Sequence, residues 1–233
     1  MINGIIFDMD GLMFDTERVF FDAWDYAGEK IGVGKAGYMV TKTLGMSLCM
    51  TYDLWREEFG DKYDEVALRR YSKEFLAGYY EQNRVPVKPG LYELLTFLSE
   101  NGYKMCVASS SPEWEVRHHL EDAGVAHYFA AVVCGDMVEN GKPDAEIYLK
   151  ACDAISERPC DCLALEDSQS GILSAFRAGC KAVMVPDLWE ADEQTETILY
   201  AKVENLSEVI GVLKNIGLPH KRSCFRYCGL DPQ

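Results

Sequence analysis

The sequence has no excess of basic residues and no apolar run long enough to cross a membrane. Its 38 acidic residues outnumber 23 basic ones, which gives a formal net charge of -15. A chain of this charge is repelled by nucleic acid and by anionic lipid, so we expect neither as a partner. A membrane-spanning helix needs about 20 consecutive apolar residues, and no stretch of the sequence provides them.

The sequence also lacks the cysteine pairs that would complete a zinc site. Its nine cysteines are scattered, and most lie in apolar runs, which is typical of buried thiols in a reducing compartment. Cys160 with Cys162, and Cys224 with Cys228 in the tail, have a weak metal-like spacing that no second pair completes. The first residues show no basic segment followed by an apolar leader. We therefore expect a cytoplasmic protein.

What the sequence does contain is an alternation of short apolar runs with helical patterns. The runs predict strands at residues 3–7, 103–108, 130–134, 162–165 and 181–185. Apolar residues at three- and four-residue spacing predict helices at residues 91–102, 112–124, 144–155, 168–178 and 206–213. Strands that alternate with helices of this length predict an α/β fold with a doubly wound parallel sheet.

Residues 16–85 interrupt the alternation, because their pattern is helical throughout. Thr16 is the expected N-cap of the first of these helices, and Gly32 and Gly34 mark its end. We therefore predict an inserted all-helical domain at residues 16–85. The α/β core domain would then comprise residues 1–15 and 86–233, with linkers near residues 14–16 and 85–90.

Polar side chains follow four of the predicted strands, at the edge of the sheet where ligands bind in open parallel folds. They are Asp8 and Asp10 after the first strand, Ser109 after the second, Lys142 beyond the third, and Glu166 with Asp167 after the fourth. Two carboxylates that directly follow a buried strand repel each other unless a cation offsets their charge. The sequence therefore predicts a site in which several acidic groups converge on positive charge.

Clustered carboxylates suit Mg²⁺, which takes oxygen ligands and screens a phosphoryl group. In such a site Asp8 can attack phosphorus, and Asp10 can move the proton of the leaving oxygen. Ser109 is the expected phosphoryl contact, with Ser110 as the alternative, and Lys142 offsets the charge.

Ser111 and Pro112 are expected to begin the next helix, as its N-cap and its first residue. His118 and His119 lie farther along that helix and are expected at the surface.

Four stretches of the chain resemble the ordered motifs of the haloacid dehalogenase-like superfamily, in its phosphatase and beta-phosphoglucomutase branch. They are Asp8-Met9-Asp10-Gly11 with Asp15-Thr16-Glu17, Val107-Ala108-Ser109, Gly141-Lys142-Pro143-Asp144, and Leu165-Glu166-Asp167-Ser168. The resemblance extends from Met1 to about Leu213. It implies a Rossmann-like core whose helical cap closes over the site and selects the substrate.

The resemblance also implies a role for each matching residue. Asp8 would be the nucleophile, and Asp10 the acid and base whose main-chain carbonyl also binds the metal. Ser109 would bind the transferred phosphoryl group. Lys142 would steady the nucleophile and the phosphate, and Glu166 and Asp167 would hold Mg²⁺ together with the opening motif.

The expected function is therefore Mg²⁺-dependent hydrolysis of a small phosphorylated metabolite, such as a sugar phosphate, by a monomer or small homo-oligomer. An intramolecular phosphotransferase of the phosphoglucomutase kind shares these residues. It is disfavoured because residues 44–48 lack the arginine with which such mutases hold a second phosphate, unless Lys42 or another residue of the cap takes its place. Dehalogenation is disfavoured by the presence of Asp10. A non-catalytic phospho-acceptor domain is disfavoured by the motif order and by the helical insertion.

Overall fold

The computed structural model describes residues 1–44, 46 and 48–217 of the chain. Two residues of the segment without arginine, Gly45 and Ser47, lie outside the described residues, as does the tail with Cys224 and Cys228. No helix in the described part is both long and apolar enough to cross a bilayer.

The centre of the fold is a six-stranded sheet in which every pairing is parallel. The strands are β1 Gly4–Phe7, β2 Lys104–Ser109, β3 Ala131–Cys134, β4 Cys162–Glu166, β5 Lys181–Met184 and β6 Ala201–Lys202. They lie in the order β3-β2-β1-β4-β5-β6. The predicted parallel sheet is confirmed, and β6 was missed because two residues carry no pattern that periodicity can detect.

Ten α-helices accompany the strands in the described residues. They are α1 Thr16–Ile31, α2 Met39–Thr43, α3 Leu48–Phe59, α4 Glu65–Tyr80, α5 Leu91–Glu100, α6 Glu113–Asp122, α7 Glu146–Ala154, α8 Gln169–Ala178, α9 Glu193–Glu196 and α10 Val209–Ile216. The first four lie between β1 and β2 with no strand among them, as the pattern predicted. We call residues 16–80, which contain these four helices, the helical insertion.

Each face of the sheet buries its own apolar layer. Along β1, Ile5 and Phe7 point into one layer and Ile6 into the other, as the two-residue period of a strand requires. Leucines of α5 cover the first layer, and apolar residues of α7 and α8 cover the second. Because both faces are covered, polar side chains can reach solvent only at the ends of the strands.

The helical insertion has a separate apolar cluster. Trp55 is completely buried at its centre and packs edge-on against Trp24, with 5.3 Å between the ring centroids. Buried Ala27, Met39 and Leu68 complete the contact between α1, α2 and α4. The insertion therefore has an apolar core of its own, separate from the two layers that cover the sheet.

Two predicted helix starts are wrong by one residue, for the same physical reason. Thr16 is the first residue of α1, with Asp15 before it as N-cap, and α6 begins at Glu113 after Pro112 rather than after Ser111. The hydroxyl groups of Thr16 and Ser111 both donate to Asp10, at 2.7 and 2.8 Å. A hydroxyl that is bound to a carboxylate does not cap a helix.

Candidate active site

Asp8 occupies the first position beyond β1, and its backbone amide continues the ladder by donating to Leu165 on β4 at 3.0 Å. Its carboxylate is almost buried and accepts a hydrogen bond from the ammonium group of Lys142. Burial raises the pKa of Asp8 well above its usual value, although Lys142 opposes the shift. An additional cation at this position would therefore favour the charged carboxylate.

Lys142 is the cation that the structure places among the acidic groups. It is 1% exposed, and its Nζ lies 2.6 Å from Oε1 of Glu166 as well as in contact with Asp8. Burial alone lowers the pKa of Lys142, but attraction to these two carboxylates outweighs burial and raises it. The lysine is therefore charged and holds β1 and β4 in register at their carboxyl ends.

Glu166 is fixed from three sides and is completely buried. Besides Lys142, the hydroxyl groups of Tyr148 and Ser168 donate to it. Gly171, in the first turn of α8, leaves the necessary space, since a Cβ there would lie 2.0 Å from the carboxylate oxygens. The helix and the strand thus approach each other only because residue 171 is glycine.

Asp8, Glu166 and Asp167 form a group that can hold a metal ion. Their carboxylate oxygens lie within 4.8 Å of one another, and all three residues are buried. Burial also raises the pKa of Asp167, and the charges of Glu17 and Asp8 raise it further. The group contains only carboxylates, which is the donor set of hard divalent cations such as Mg²⁺. These residues therefore fit the predicted metal.

The side chain of Asp10 does not belong to that group. Its Oδ1 accepts from Thr16, and its Oδ2 accepts from Ser109 at 3.2 Å and from Ser111. Three hydroxyl donors fix the direction of the carboxylate beside Asp8. The sequence had identified Ser111 only as a helix cap, so its contact with Asp10 is new.

The two candidate phosphate contacts differ in their surroundings. Ser109 is completely buried, and its hydroxyl donates to Asp10 while it accepts from the backbone amide of Ser111 at 3.0 Å. The hydroxyl of Ser110 is buried and has no hydrogen-bond partner among the described residues. Ser110 also lines the cavity above Asp8, so its hydroxyl is the one available to a ligand.

This cavity, which we call the catalytic cavity, has a volume of about 170 Å³ and lies between the sheet edge and the helical insertion. The sheet contributes carboxylates and serine hydroxyl groups. Thr16 and Glu17 of the insertion lie beside Asp10 and Asp167. The insertion further contributes Phe20, Trp24, Val40, Thr43, Leu44, Met46 and Thr51, which form the wall opposite Asp8. No Lys or Arg within the described residues lines the cavity. The described residues of the wall opposite Asp8 are therefore apolar apart from two threonine hydroxyl groups.

Glu17 is a site residue to which the sequence had assigned no separate role. It lies in the first turn of α1, is 8% exposed, and lines the catalytic cavity. Its Oε2 is buried without a hydrogen-bond partner in the described part of the chain. Burial and the charges of Asp10, Asp187 and Asp8 raise the pKa of Glu17 to about 8. Glutamate in a first turn normally only stabilises the helix dipole, so its sequence position did not reveal this burial.

The structure brings every predicted site residue to the same edge of the sheet. They are Asp8, Asp10, Ser109, Ser110, Lys142, Glu166 and Asp167. A parallel α/β sheet with this acidic site and a helical insertion after β1 defines an α/β protein whose sheet edge can hold a divalent cation.

The chain belongs to the haloacid dehalogenase-like hydrolase family, whose model matches residues 5–185. The phosphorylated carbohydrates phosphatase of Thermotoga maritima is 28% identical over 223 residues, which are 92% of this chain and all of that protein. The beta-phosphoglucomutase of Bacillus subtilis (strain 168) is 26% identical over 190 residues, 79% of this chain and 83% of its own. The crystal structure of a beta-phosphoglucomutase from Clostridium difficile shares the fold, with a TM-score of 0.74 at 22% identity over 90% of this chain and 93% of its own. The family predicted from the motifs is confirmed.

Replacing Gly171 with alanine is expected to disrupt the site, because the new Cβ would displace Glu166 from Lys142. We expect a loss of about 3–5 kcal/mol of unfolding free energy, as for other broken buried ion pairs. The matched control is Gly211→Ala, since Gly211 is also the third residue of its helix and has open space around it. The unfolding free energy of Gly211→Ala should be about 0.5–1 kcal/mol higher than that of the wild type. Equal stability of the two variants in urea unfolding would contradict the packing argument.

Without metal, the protein is expected to lose stability as the pH rises from about 4.5, the ordinary pKa of a glutamate, to about 8, the pKa of Glu17 in the folded protein. A carboxyl group whose pKa is raised by folding binds its proton more tightly in the folded state, so its contribution falls as the pH rises through the folded pKa, about 8 for Glu17. In chelator, the fall in Tm over this pH range should be at least about 3 °C smaller for Glu17→Gln than for the wild type. The exposed Glu100 provides the control variant Glu100→Gln, which should follow the wild type. A wild-type Tm that does not depend on pH would refute the prediction.

Proposed function

We propose that this phosphatase hydrolyses a small phosphorylated metabolite, of the phosphorylated carbohydrate class, through an aspartyl-phosphate at Asp8. The observation that carries the proposal is the position of Asp8. It contacts Lys142, belongs to the three-carboxylate group and lines the catalytic cavity. The name of the Thermotoga maritima relative, which this chain covers completely, supports the substrate class.

In the first step the free carboxylate oxygen of Asp8 forms a bond to phosphorus while the bond to the leaving oxygen breaks. Asp10, held by the hydroxyl groups of Thr16 and Ser111, gives the leaving oxygen a proton. Lys142 remains bound to Asp8 and offsets the negative charge that builds up on the phosphoryl group. The Ser110 hydroxyl donates to one of the phosphoryl oxygens.

In the second step Asp10 takes a proton from a water molecule, whose oxygen bonds to phosphorus as the bond to Asp8 breaks. Free phosphate and the regenerated Asp8 result. Mg²⁺ would be held by Asp8, Glu166 and Asp167, with the main-chain carbonyl of Asp10, and would screen the charge between the carboxylates and the phosphate.

We further propose that residues 16–85 act as a cap domain over a core domain of residues 1–15 and 86–233. The separate apolar cluster of the helical insertion and its contribution of one wall of the catalytic cavity support this division. A net charge of -15 supports a small metabolite rather than nucleic acid or membrane as the partner. We also propose that the protein is cytoplasmic and that it is a monomer or a small homo-oligomer.

A phosphoglucomutase-like transfer is the second candidate, and the Bacillus subtilis relative carries that name. Such a transfer requires a bisphosphate, whose second phosphate needs a positive group on the wall opposite Asp8. The described residues of that wall are apolar groups and threonines. The lining of the cavity therefore favours hydrolysis over phosphoryl transfer within a sugar phosphate.

The decisive variant is Asp8→Asn, which keeps the size of the side chain and removes its nucleophilic charge. The wild type should release phosphate from at least one of a panel of phosphate monoesters in Mg²⁺ and not in chelator. The variant should lose roughly 10³-fold or more in kcat. Conversion of a sugar 1-phosphate to its 6-phosphate without phosphate release would instead favour the mutase, and full activity of the variant would exclude Asp8 as the nucleophile.

Ser110→Ala and Ser109→Ala should separate phosphate binding from structural support. Ser110→Ala removes an unpartnered hydroxyl, so kcat/KM should fall about 10- to 100-fold with little change in Tm. Ser109→Ala removes a buried donor to Asp10 and an acceptor for Ser111, so the protein should lose about 1–3 kcal/mol of stability. A fall in kcat/KM for Ser109→Ala together with a loss of stability for Ser110→Ala would instead identify Ser109 as the phosphate contact.

A further inference from the structure

A second cavity continues from the catalytic cavity and lies between α4 of the helical insertion and α6 of the core. We call it the side groove. Its volume is about 790 Å³, which is within the range of small-molecule sites. Phe20, Trp24, Thr51, Pro112 and Glu115 line both cavities. A ligand whose phosphate lies at Asp8 can therefore extend into the side groove without crossing a wall.

The walls of the side groove carry aromatic rings, one of which is largely exposed. Trp114 lies in the first turn of α6 with 65% of its surface exposed, and Trp24 lies on the opposite side. No ring contact is recorded for Trp114 among the described aromatic residues. An exposed indole beside a catalytic cavity offers a face on which another planar ring can stack.

Three buried polar atoms in the side groove have no partner within the described residues. They are the hydroxyl groups of Ser72 and Tyr80 and Nε2 of His119. The rings of Tyr80 and His119 lie 5.2 Å apart. His119 is 1% exposed, so the prediction that placed it at the surface is wrong; the ring packs between Phe14 and Tyr80. The nearest carboxylate oxygen, from Glu115, is 3.9 Å from Nε2, which is too far for a hydrogen bond. Buried polar atoms without partners are uncommon and call for an explanation.

Four basic side chains line the side groove against two acidic ones, Glu115 and Glu121, although the chain as a whole is acidic. Arg69, Arg70 and Lys73 lie along one side on α4, and Arg117 lies on α6. Lys73 is exposed and forms no ion pair with any residue in the described ranges. Positive charge at the mouth of a groove favours the approach of an anionic ligand.

We propose that the substrate of this phosphatase is a phosphorylated sugar or polyol that carries a planar heteroaromatic ring, and that the side groove holds the ring. The ring stacks on Trp114, and the polar groups at its edge bond to Tyr80 and His119. From Glu113 to His119, α6 rises about 9 Å, so the sugar or polyol is the spacer between the catalytic cavity and these two residues. The inference rests on the proposed function, since it assigns the leaving group for the same Asp8 site.

The test compares two pairs of esters that differ only in the ring: uridine 5′-monophosphate with ribose 5-phosphate, and flavin mononucleotide with ribitol 5-phosphate. In at least one pair the ester with the ring should have a kcat/KM at least about tenfold higher, which is the size of a stacking contribution. Trp114→Ala should lower that ratio about tenfold. Phe176→Ala, which removes an exposed aromatic ring on α8 outside the groove, should leave the ratio unchanged.

Binding without turnover separates the inference from the proposed function. Calorimetry with uridine and riboflavin, which carry no phosphate, should show binding of one of them to the Asp8→Asn variant, weakened by a second change of Trp114→Ala or Tyr80→Phe. Binding that survives both changes, or no binding of either compound, would overturn the groove assignment. Equal kcat/KM within both pairs would also overturn the groove assignment.

The outcomes distinguish the two proposals. If all four esters are hydrolysed equally, the proposed phosphatase activity is supported and only the role of the side groove is refuted. If none releases phosphate but the ring compound binds at Trp114, the role of the side groove is supported and the proposed hydrolysis is refuted.

Discussion

The buried contact of Lys142 with Asp8 and Glu166 joins the two halves of the candidate active site. A single buried ammonium group lies between carboxylates from β1 and β4, which are adjacent in the sheet. Asp167 and Glu17 add acidic groups nearby, so one lysine cannot balance the charge. Burial of this excess is unfavourable, and a divalent cation relieves it. The excess of negative charge that weakens the protein without metal is therefore the same property that favours a divalent cation at this group of carboxylates.

Most of the sheet and of the acidic site could be predicted because both depend on short-range patterns. An apolar run such as residues 162–165, between turn residues, is typical of a buried strand, and the polar residue after it emerges at the sheet edge. The two helix starts were predicted wrongly because the hydroxyl groups of Thr16 and Ser111 can bind either the helix backbone or Asp10. Tertiary contacts decide between these partners, and local helix propensity carries no information about tertiary contacts.

Two further unforeseen features, the burial of His119 and that of Glu17, depend on how the helical insertion packs against the core. His118 and His119 are neighbours on one helix, yet His118 is exposed and His119 is buried against Tyr80 of α4. The helical period of α6 alone shows little apolar character, so it did not identify the buried face. Glu17 was missed for a related reason. Its burial follows from the close approach of α1 to the sheet edge, where Gly11 leaves room for the carboxylates of Glu17 and Asp167.

The division of labour between the walls explains how one site can combine a fixed reaction with a selected substrate. The sheet edge holds the charged groups to which we assign the reaction at phosphorus, and their positions are set by strand register and by Lys142. The opposite wall and the side groove are built from helices α1 to α4, from described residues that follow α2, and from α6. They are mainly apolar and aromatic. Such walls contribute affinity in proportion to the apolar area that the ligand covers, and they exclude water from the first transfer step. Exchanging side chains on these helices can therefore change which alcohol leaves without disturbing Asp8, because none of the groups to which we assign the reaction lies on them.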